Sequence, residues 1–398
     1  MTRINAYWRM LLRSVKLIVA WVWFKLLAQR LLSKDIWLFE EKHTEARDNA
    51  FHLYKYVKEN HPDINAFYVI VKGSVDEDRI EKYGSTIHAD TLKHYIFWLS
   101  SKYSISSQPY GAIPYPADKM YRYRKLCRND QKVIFLQHGI IKDDLPRLDY
   151  SRTGFDLFSC SAIPEAKYVC EGLHYPKENV RLIGLCRFDK LFKSIPNKII
   201  LIMPTFRHWL RSSNTDVEAN DNELIRFKKS DFFKHYCKLL TNEELITCAR
   251  NNDYKIIFYM HYALQSYMKA FANCGSNVVT IADRFHYDVQ QLLIDSAVLI
   301  TDYSSVFFDF AYMEKPEIFY QFDEKKYREE HYKQGYFDYR ENAFGPVFNE
   351  QKEVIEYLKD LIGRDCKMDA VYRKRTKGFF MNQDRNNCQR TYNAIKEL

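Results

Sequence analysis

The chain predicts an α/β protein built from two Rossmann-like domains, on three observations. Short apolar runs rich in Val, Ile, Phe and Tyr alternate with stretches of helical periodicity along nearly the whole sequence. That βαβα order makes parallel sheets with helices on both faces. At 398 residues the chain has room for two domains of ordinary size. A proline-marked crossing at 196–198 separates one series of strand–helix units from a second. An apolar fraction of 46% supports a substantial core rather than a disordered chain.

Residues 1–33 differ from the rest of the chain. They carry Arg3, Arg9, Arg13, Lys16, Lys25 and Arg30, and no acid precedes Asp35. Their longest uncharged run is too short for a bilayer, which needs about 20 apolar residues. No small-residue cleavage site is present, so a signal peptide is not expected. On a helix Arg9, Arg13 and Lys16 share one face, and Leu11, Val15, Ile18 and Val22 the other. That is the pattern of a helix lying in a membrane interface, cations toward anionic headgroups. Lys25 falls toward the apolar side and has to snorkel. The competing reading is an amphipathic helix packed on its own domain.

In the first domain, taken as 34–195, strands are expected at 35–39, 66–71, 83–84 with 86–88, 103–106, 132–136, 156–159 and 180–183, and helices at 49–60, 91–100 and 163–172. The second, 196–365, is expected to hold strands at 199–203, 254–259, 278–281, 298–300 and 317–320. Its helices fall at 227–237, 242–251, 288–295, 306–312 and 350–362, with an irregular polar loop at 208–221 and a turn at 344–347. Residues 366–398 form a helical tail of the kind that crosses back to the first domain.

Net charge is +9, which suits an anionic partner such as a phosphate-rich substrate or a lipid surface. No zinc-finger, RNA-recognition or basic-tail pattern points to nucleic acid. The nine cysteines are scattered and form no C-x-x-C pair, as expected of free thiols in a reducing compartment.

Candidate chemistry gathers where strands end. His138 follows the 132–136 strand, and a histidine there can serve as general base or cap the strand end. His261 follows the 254–259 strand in the same way. Arg207 ends the segment MPTFR after the 199–203 strand, and its fork of donors suits a diphosphate. Ser304 and Ser305 lie between a strand and a helix start, where unpaired N–H groups favour phosphate. They serve equally as helix caps. Arg187 can hold phosphate or pair with Asp189. Lys142 can contact phosphate or stay solvated.

These blocks occur in order: IFLQHGIIK at 134–142, GLCRFD at 184–189, MPTFR at 203–207, His261, then TDYSSVFFDFAYMEKPEIFY, YREEHYKQGYFDY and FGPVF. Together, over roughly 131–348, the chain resembles the CDP-glycerol glycerophosphotransferase family, enzymes of teichoic acid and related glycerol-phosphate polymers. The resemblance implies a GT-B-like arrangement, two Rossmann-like domains facing across a cleft, CDP-glycerol in the second domain and the acceptor at the first. It implies that an acceptor hydroxyl attacks the β-phosphorus and CMP leaves. His138 would guide the proton. Arg207, His261, Ser304 and Ser305 would stabilise the phosphoryl oxygens. Asp309 would accept from a glycerol or ribose hydroxyl, or orient the serine loop, and Asp302 would be structural. Lys142 and Arg187 would contact the acceptor or a phosphate. No metal and no cofactor beyond the donor substrate is expected. The usual Trp-His-Gly-Thr is here Gln137-His138-Gly139-Ile140, a departure that leaves the acceptor open among a lipid-linked primer, a growing glycerol phosphate chain and a capsule polysaccharide. The expected location is the cytoplasmic face of the bacterial membrane, peripherally bound to its anionic surface. The alternatives are a nucleotide-sugar glycosyltransferase, a CDP-ribitol enzyme and a non-catalytic membrane scaffold.

Overall fold

The computed structural model describes residues 3–27, 34–84, 86–114, 120–192, 194–211 and 217–398. The chain divides into two compact units, Met1–Ile140 with Leu145–Asp189 and Asp384–Leu398, and Ile141–Asp144 with Lys190–Gln383. The first unit therefore ends some residues before the proline-marked crossing. The tail is shared: the helix Ala370–Phe379 belongs to the second unit and the helix Asn387–Lys396 to the first.

The first unit is a seven-stranded parallel sheet. Its strands are β1 (Ile36–Glu40), β2 (Asn65–Ile70), β3 (Thr86–His88), β4 (Tyr103–Ser106), β5 (Lys132–Phe135), β6 (Leu157–Cys160) and β7 (Val180–Leu182), in the order β3-β2-β1-β4-β5-β6-β7. Strand β1 is buried on both faces, as a central parallel strand must be. Trp37 and Phe39 pack into one core with Leu53, Tyr54 and Val57 of the helix Asn49–Asn60 and Ile395 of the helix Asn387–Lys396. Leu38 faces a second core with Tyr95, Trp98 and Leu99 of the helix Leu92–Ser100. The C-terminal helix is held by Asp189, whose carboxylate accepts from the Asn387 and Cys388 amides at 2.8 and 2.9 Å. Gly184 lies beside it with a φ of 87°, where a Cβ would collide with the Asn387 side chain. Only glycine tolerates both demands.

The N-terminal helix Arg3–Leu26 forms as expected, with Arg13 and Lys16 turned toward the domain and the apolar face of Leu11, Val15, Ile18 and Val22 turned outward. Leu17, Ala20 and Phe24 are buried against the helix Leu92–Ser100. Lys16 and Arg13 turn inward as well, to the Asp90 carbonyl at 2.7 Å and the Asp90 carboxylate at 4.0 Å. The Arg9 side chain lies outside the described residues. Leu11, Val15, Ile18 and Val22 point outward and are exposed, as are Trp8, Leu12 and Trp23. The Lys25 ammonium lies 5.5 Å from the centre of the Phe24 ring. Among the described residues no helix is long and apolar enough to cross a membrane.

The second unit is a six-stranded parallel sheet of β8 (Ile199–Ile202), β9 (Lys255–Tyr259), β10 (Val279–Ala282), β11 (Val298–Thr301), β12 (Glu317–Tyr320) and β13 (Val347–Phe348), in the order β10-β9-β8-β11-β12-β13. Strand β13 occupies part of the expected turn, and Val347 pairs with Phe319. The backbone at Gly345 runs so close to the Glu317 carbonyl that a Cβ would collide with it. The helix expected at 227–237 is two helices, Asp221–Lys228 and Asp231–Leu240. Ser230 breaks the run because its hydroxyl caps the second helix, accepting from the Phe233 amide. The end of the polar loop is thus helical, while its residues 212–216 lie outside the described ones. A long 3-10 segment, Tyr262–Cys274, follows His261, where the sequence pattern marks no element.

Candidate active site

In the first unit the chain leaves β5 at its carboxyl end and turns sharply at Gln137, whose φ is 60°. A non-glycine residue in that region needs outside support. The buried Gln137 amide donates to the Ser159 carbonyl and, at 3.1 Å, to Glu165. The Gln137 carbonyl accepts from Asn49 Nδ2 at 2.8 Å. His138 comes next and is exposed, with no hydrogen-bond partner among the described residues. Desolvation pushes its pKa below the ordinary histidine value; Asp48 opposes this, and Arg187, Arg147 and Lys42 add to it. Arg187 is buried and pairs with Asp48 at 2.8 Å rather than with Asp189, which caps the C-terminal helix.

In the second unit every predicted residue lies beyond the carboxyl end of a strand. The chain runs from β8 outward to β10, then returns to β11 on the other side, so the β8/β11 junction is the switch point of the sheet. Arg207 follows β8 and Ser304 follows β11. Ser304 and Ser305 are half-buried, and their hydroxyls make no hydrogen bond among the described residues. Ser305 occupies the position before the helix Val306–Tyr312 without capping it. The hydroxyls are therefore not spent on the cap. Asp309, one turn on, is buried and partnered.

Arg207 is placed differently from expectation. It is fully buried, and its guanidinium donates to Asp323 at 2.7 and 3.0 Å and to the Thr205 carbonyl at 2.7 Å. It also lies 2.9 Å from Asp302. The guanidinium sits 5.1 and 5.2 Å from the Tyr303 and Tyr327 ring centres. Burial disfavours its charge, and Asp302 with Asp323 more than offset that. With its fork engaged in this way, Arg207 braces the switch point of the sheet. Asp302 is the other half of the brace, accepting also from the Thr205 amide at 2.8 Å and the Tyr236 hydroxyl at 3.2 Å.

Lys142 is likewise displaced from its expected place, because Ile141–Asp144 belongs to the second unit. Its ammonium is buried on Asp143, which also accepts from Arg328 at 2.7 Å. A phosphate would have to displace that carboxylate.

His261 stacks on Phe206, ring centres 4.7 Å apart, and its Nδ1 accepts from the Ala263 amide at 3.3 Å. In the neutral ring the proton then sits on Nε2. His331, which no sequence pattern singles out inside YREEHYKQGYFDY, packs edge-on against the same Phe206. Its Nδ1 accepts from the His208 amide at 3.1 Å, and burial followed by His208 pushes its pKa down to about 2. A histidine in an aromatic-rich block carries no local mark of this packing. Among the described residues no group of three or more His, Cys, Asp or Glu forms a metal cluster.

The model of the family "CDP-Glycerol:Poly(glycerophosphate) glycerophosphotransferase" matches residues 22–397, nearly the whole chain. The chain belongs to this family. Among its relatives, the minor teichoic acid biosynthesis protein GgaB of Bacillus subtilis is 37% identical over 367 residues, 92% of this chain and 40% of that protein. The teichoic acid glycerol-phosphate transferase of Staphylococcus aureus is 30% identical over 167 residues, 42% of this chain and 37% of that protein. The chain thus spans well under half the length of either relative. The solved structure of the wall teichoic acid polymerase TagF shares the fold, with a TM-score of 0.68 at 17% identity over 100% of this chain and 98% of that one. A TagF variant has also been solved after soaking with CDPG.

Proposed function

We propose that this chain transfers glycerol phosphate from CDP-glycerol to an acceptor hydroxyl and releases CMP, in assembly of a cell-envelope polymer. The observation that carries the reading is the family match across 22–397, which embraces His138, His261 and the serine loop. In the reaction the acceptor oxygen bonds to the β-phosphorus, the bond from that phosphorus to the CMP oxygen breaks, and His138 takes the hydroxyl proton. Ser304, Ser305 and the Nε2–H of His261 donate to the phosphoryl oxygens. Asp309 orients the serine loop. Phosphoryl transfer depends mainly on positioning and on neutralising spread charge, which these donors supply. Arg187 acts on His138 through its charge. The buried pairs leave Arg207 and Lys142 with supporting parts only. The acceptor is a teichoic acid or related polymer, lipid-linked or polysaccharide.

The test is nucleotide release from the full chain given CDP-glycerol, CDP-ribitol and nucleotide sugars, each with a membrane extract. CMP released from CDP-glycerol is expected. A nucleoside diphosphate released from a sugar donor would make the protein a glycosyltransferase instead.

The outward apolar face of the helix Arg3–Leu26 fits peripheral binding to the cytoplasmic face of the membrane, with the positive net charge favouring anionic lipid. Co-sedimentation should be stronger with vesicles containing phosphatidylglycerol than with neutral ones. The double substitution Ile18→Asp and Val22→Asp should abolish it while the fold is kept. Unchanged sedimentation of that variant would assign the face to something other than lipid.

A further inference from the structure

We propose that Asn49 is the positioning residue of His138, an assignment that rests on the proposed role of His138 as the base. Asn49 is completely buried at the start of the helix Asn49–Asn60. Its Nδ2 donates to the Gln137 carbonyl at 2.8 Å and lies 3.4 Å from the Leu136 carbonyl. Its Oδ1 accepts from the Arg187 amide at 3.0 Å. One carboxamide therefore fixes both the turn that presents His138 and the backbone of the arginine whose charge acts on it.

Three further features show that the clamp is built. The Gln137 backbone is held at a positive φ, so the turn depends on its contacts to keep its shape. The start of the helix is itself anchored, because the buried Glu41 carboxylate accepts from the Arg47, Asp48 and Phe51 amides, each at 2.8 Å. Asp48, next to Asn49, accepts from Arg187 Nη1 at 2.8 Å, so side chain and backbone of Arg187 are referenced to consecutive residues. Only an amide both donates and accepts at this length. Aspartate keeps the acceptor and loses the donor. Alanine loses both and leaves a buried carbonyl and a buried N–H unpaired. The charged groups acting on His138 are Asp48, Arg187, Arg147 and Lys42, and the clamp sets two of them.

The test uses the full chain with histidine labelled at 13Cε1, the His138 signal being assigned by its loss in His138→Ala. In Asn49→Ala the His138 resonance and its titration midpoint should move. The kcat for CMP release should fall on the order of 10- to 100-fold, the cost of a base displaced by a fraction of an ångström to one ångström. The donor KM should hold, since the predicted donor residues belong to the other unit. Should Asn49→Ala not fold, Asn49→Ser carries the same test, because its hydroxyl adds no charge and is too short to reach both Gln137 and Arg187. An unmoved His138 resonance and midpoint in a folded variant would overturn the assignment. A moved resonance with unchanged kcat would instead sink the base reading and leave Asn49 as the holder of the turn.

Discussion

Arg207→Ala is expected to destabilise the second unit by about 3–5 kcal/mol, rather than to yield a folded enzyme with a weakened donor site. The magnitude reflects the charges the substitution strands. Asp302 and Arg207 are both wholly buried, and Asp323 is nearly so at 11% side-chain exposure. Removing one partner of a buried ion pair leaves the other uncompensated, and here two carboxylates lose the same cation. A loss of that size is a large share of the 5–15 kcal/mol that typically holds a domain together. Asp302 also accepts from the Thr205 and Tyr303 amides, so a displaced Asp302 unsettles the ends of β8 and β11 together. Arg207→Lys should recover only part of the loss, because an ammonium cannot fork to Asp323 while also reaching Asp302 and Thr205. Urea denaturation followed by circular dichroism reads the outcome as a lowered midpoint. A variant of wild-type stability whose only defect is a raised donor KM would show that Arg207 faces the donor after all.

The setting of Arg207 explains how much the sequence could reveal. The strands are legible because a parallel strand buried on both faces is a nearly continuous apolar run, and IWLF, IILI and VLI are such runs. The positions of His138, His261, Arg207 and Ser304 beyond strand ends came from the same pattern. Partners were not legible, because they come from far along the chain. Asp323 lies 116 residues beyond Arg207, and Asp48 is 139 residues from Arg187. Nothing near Arg187 marks Asp48 over Asp189. The N-terminal helix makes the same point. A helical wheel separates its two faces, but only the contacts with Asp90 and with the helix Leu92–Ser100 decide which one turns inward. Lys142 is four residues past His138, yet it folds with Asp143 and Arg328 in the second unit, a change of unit that no local pattern announces.

His138→Ala is expected to lower kcat for CMP release by roughly 10²–10⁴-fold, the usual contribution of a positioned general base, with the donor KM little changed. The working form is the neutral imidazole. Its pKa in the folded chain lies below the ordinary histidine value of 6.5, through desolvation and the nearby cations and against Asp48. Activity should therefore be full at neutral pH and fall as pH drops through that lowered value, and this acid limb should be missing in the variant. Stability moves in the same direction. The folded chain binds this proton less readily than the unfolded one, so the histidine costs stability as pH falls below the ordinary histidine value, and His138→Ala should soften that acid-side loss. The substitution leaves no buried group unpaired, because the ring has no hydrogen-bond partner among the described residues, and thermal stability at neutral pH should be close to wild type. If Asn49 acts only through His138, adding Asn49→Ala to His138→Ala should cost no further activity, as groups that work as one unit do not lose their effects additively. Undiminished CMP release by His138→Ala would place the base elsewhere. A steady loss with an unchanged pH profile would make the ring a binding contact rather than the group that moves the proton.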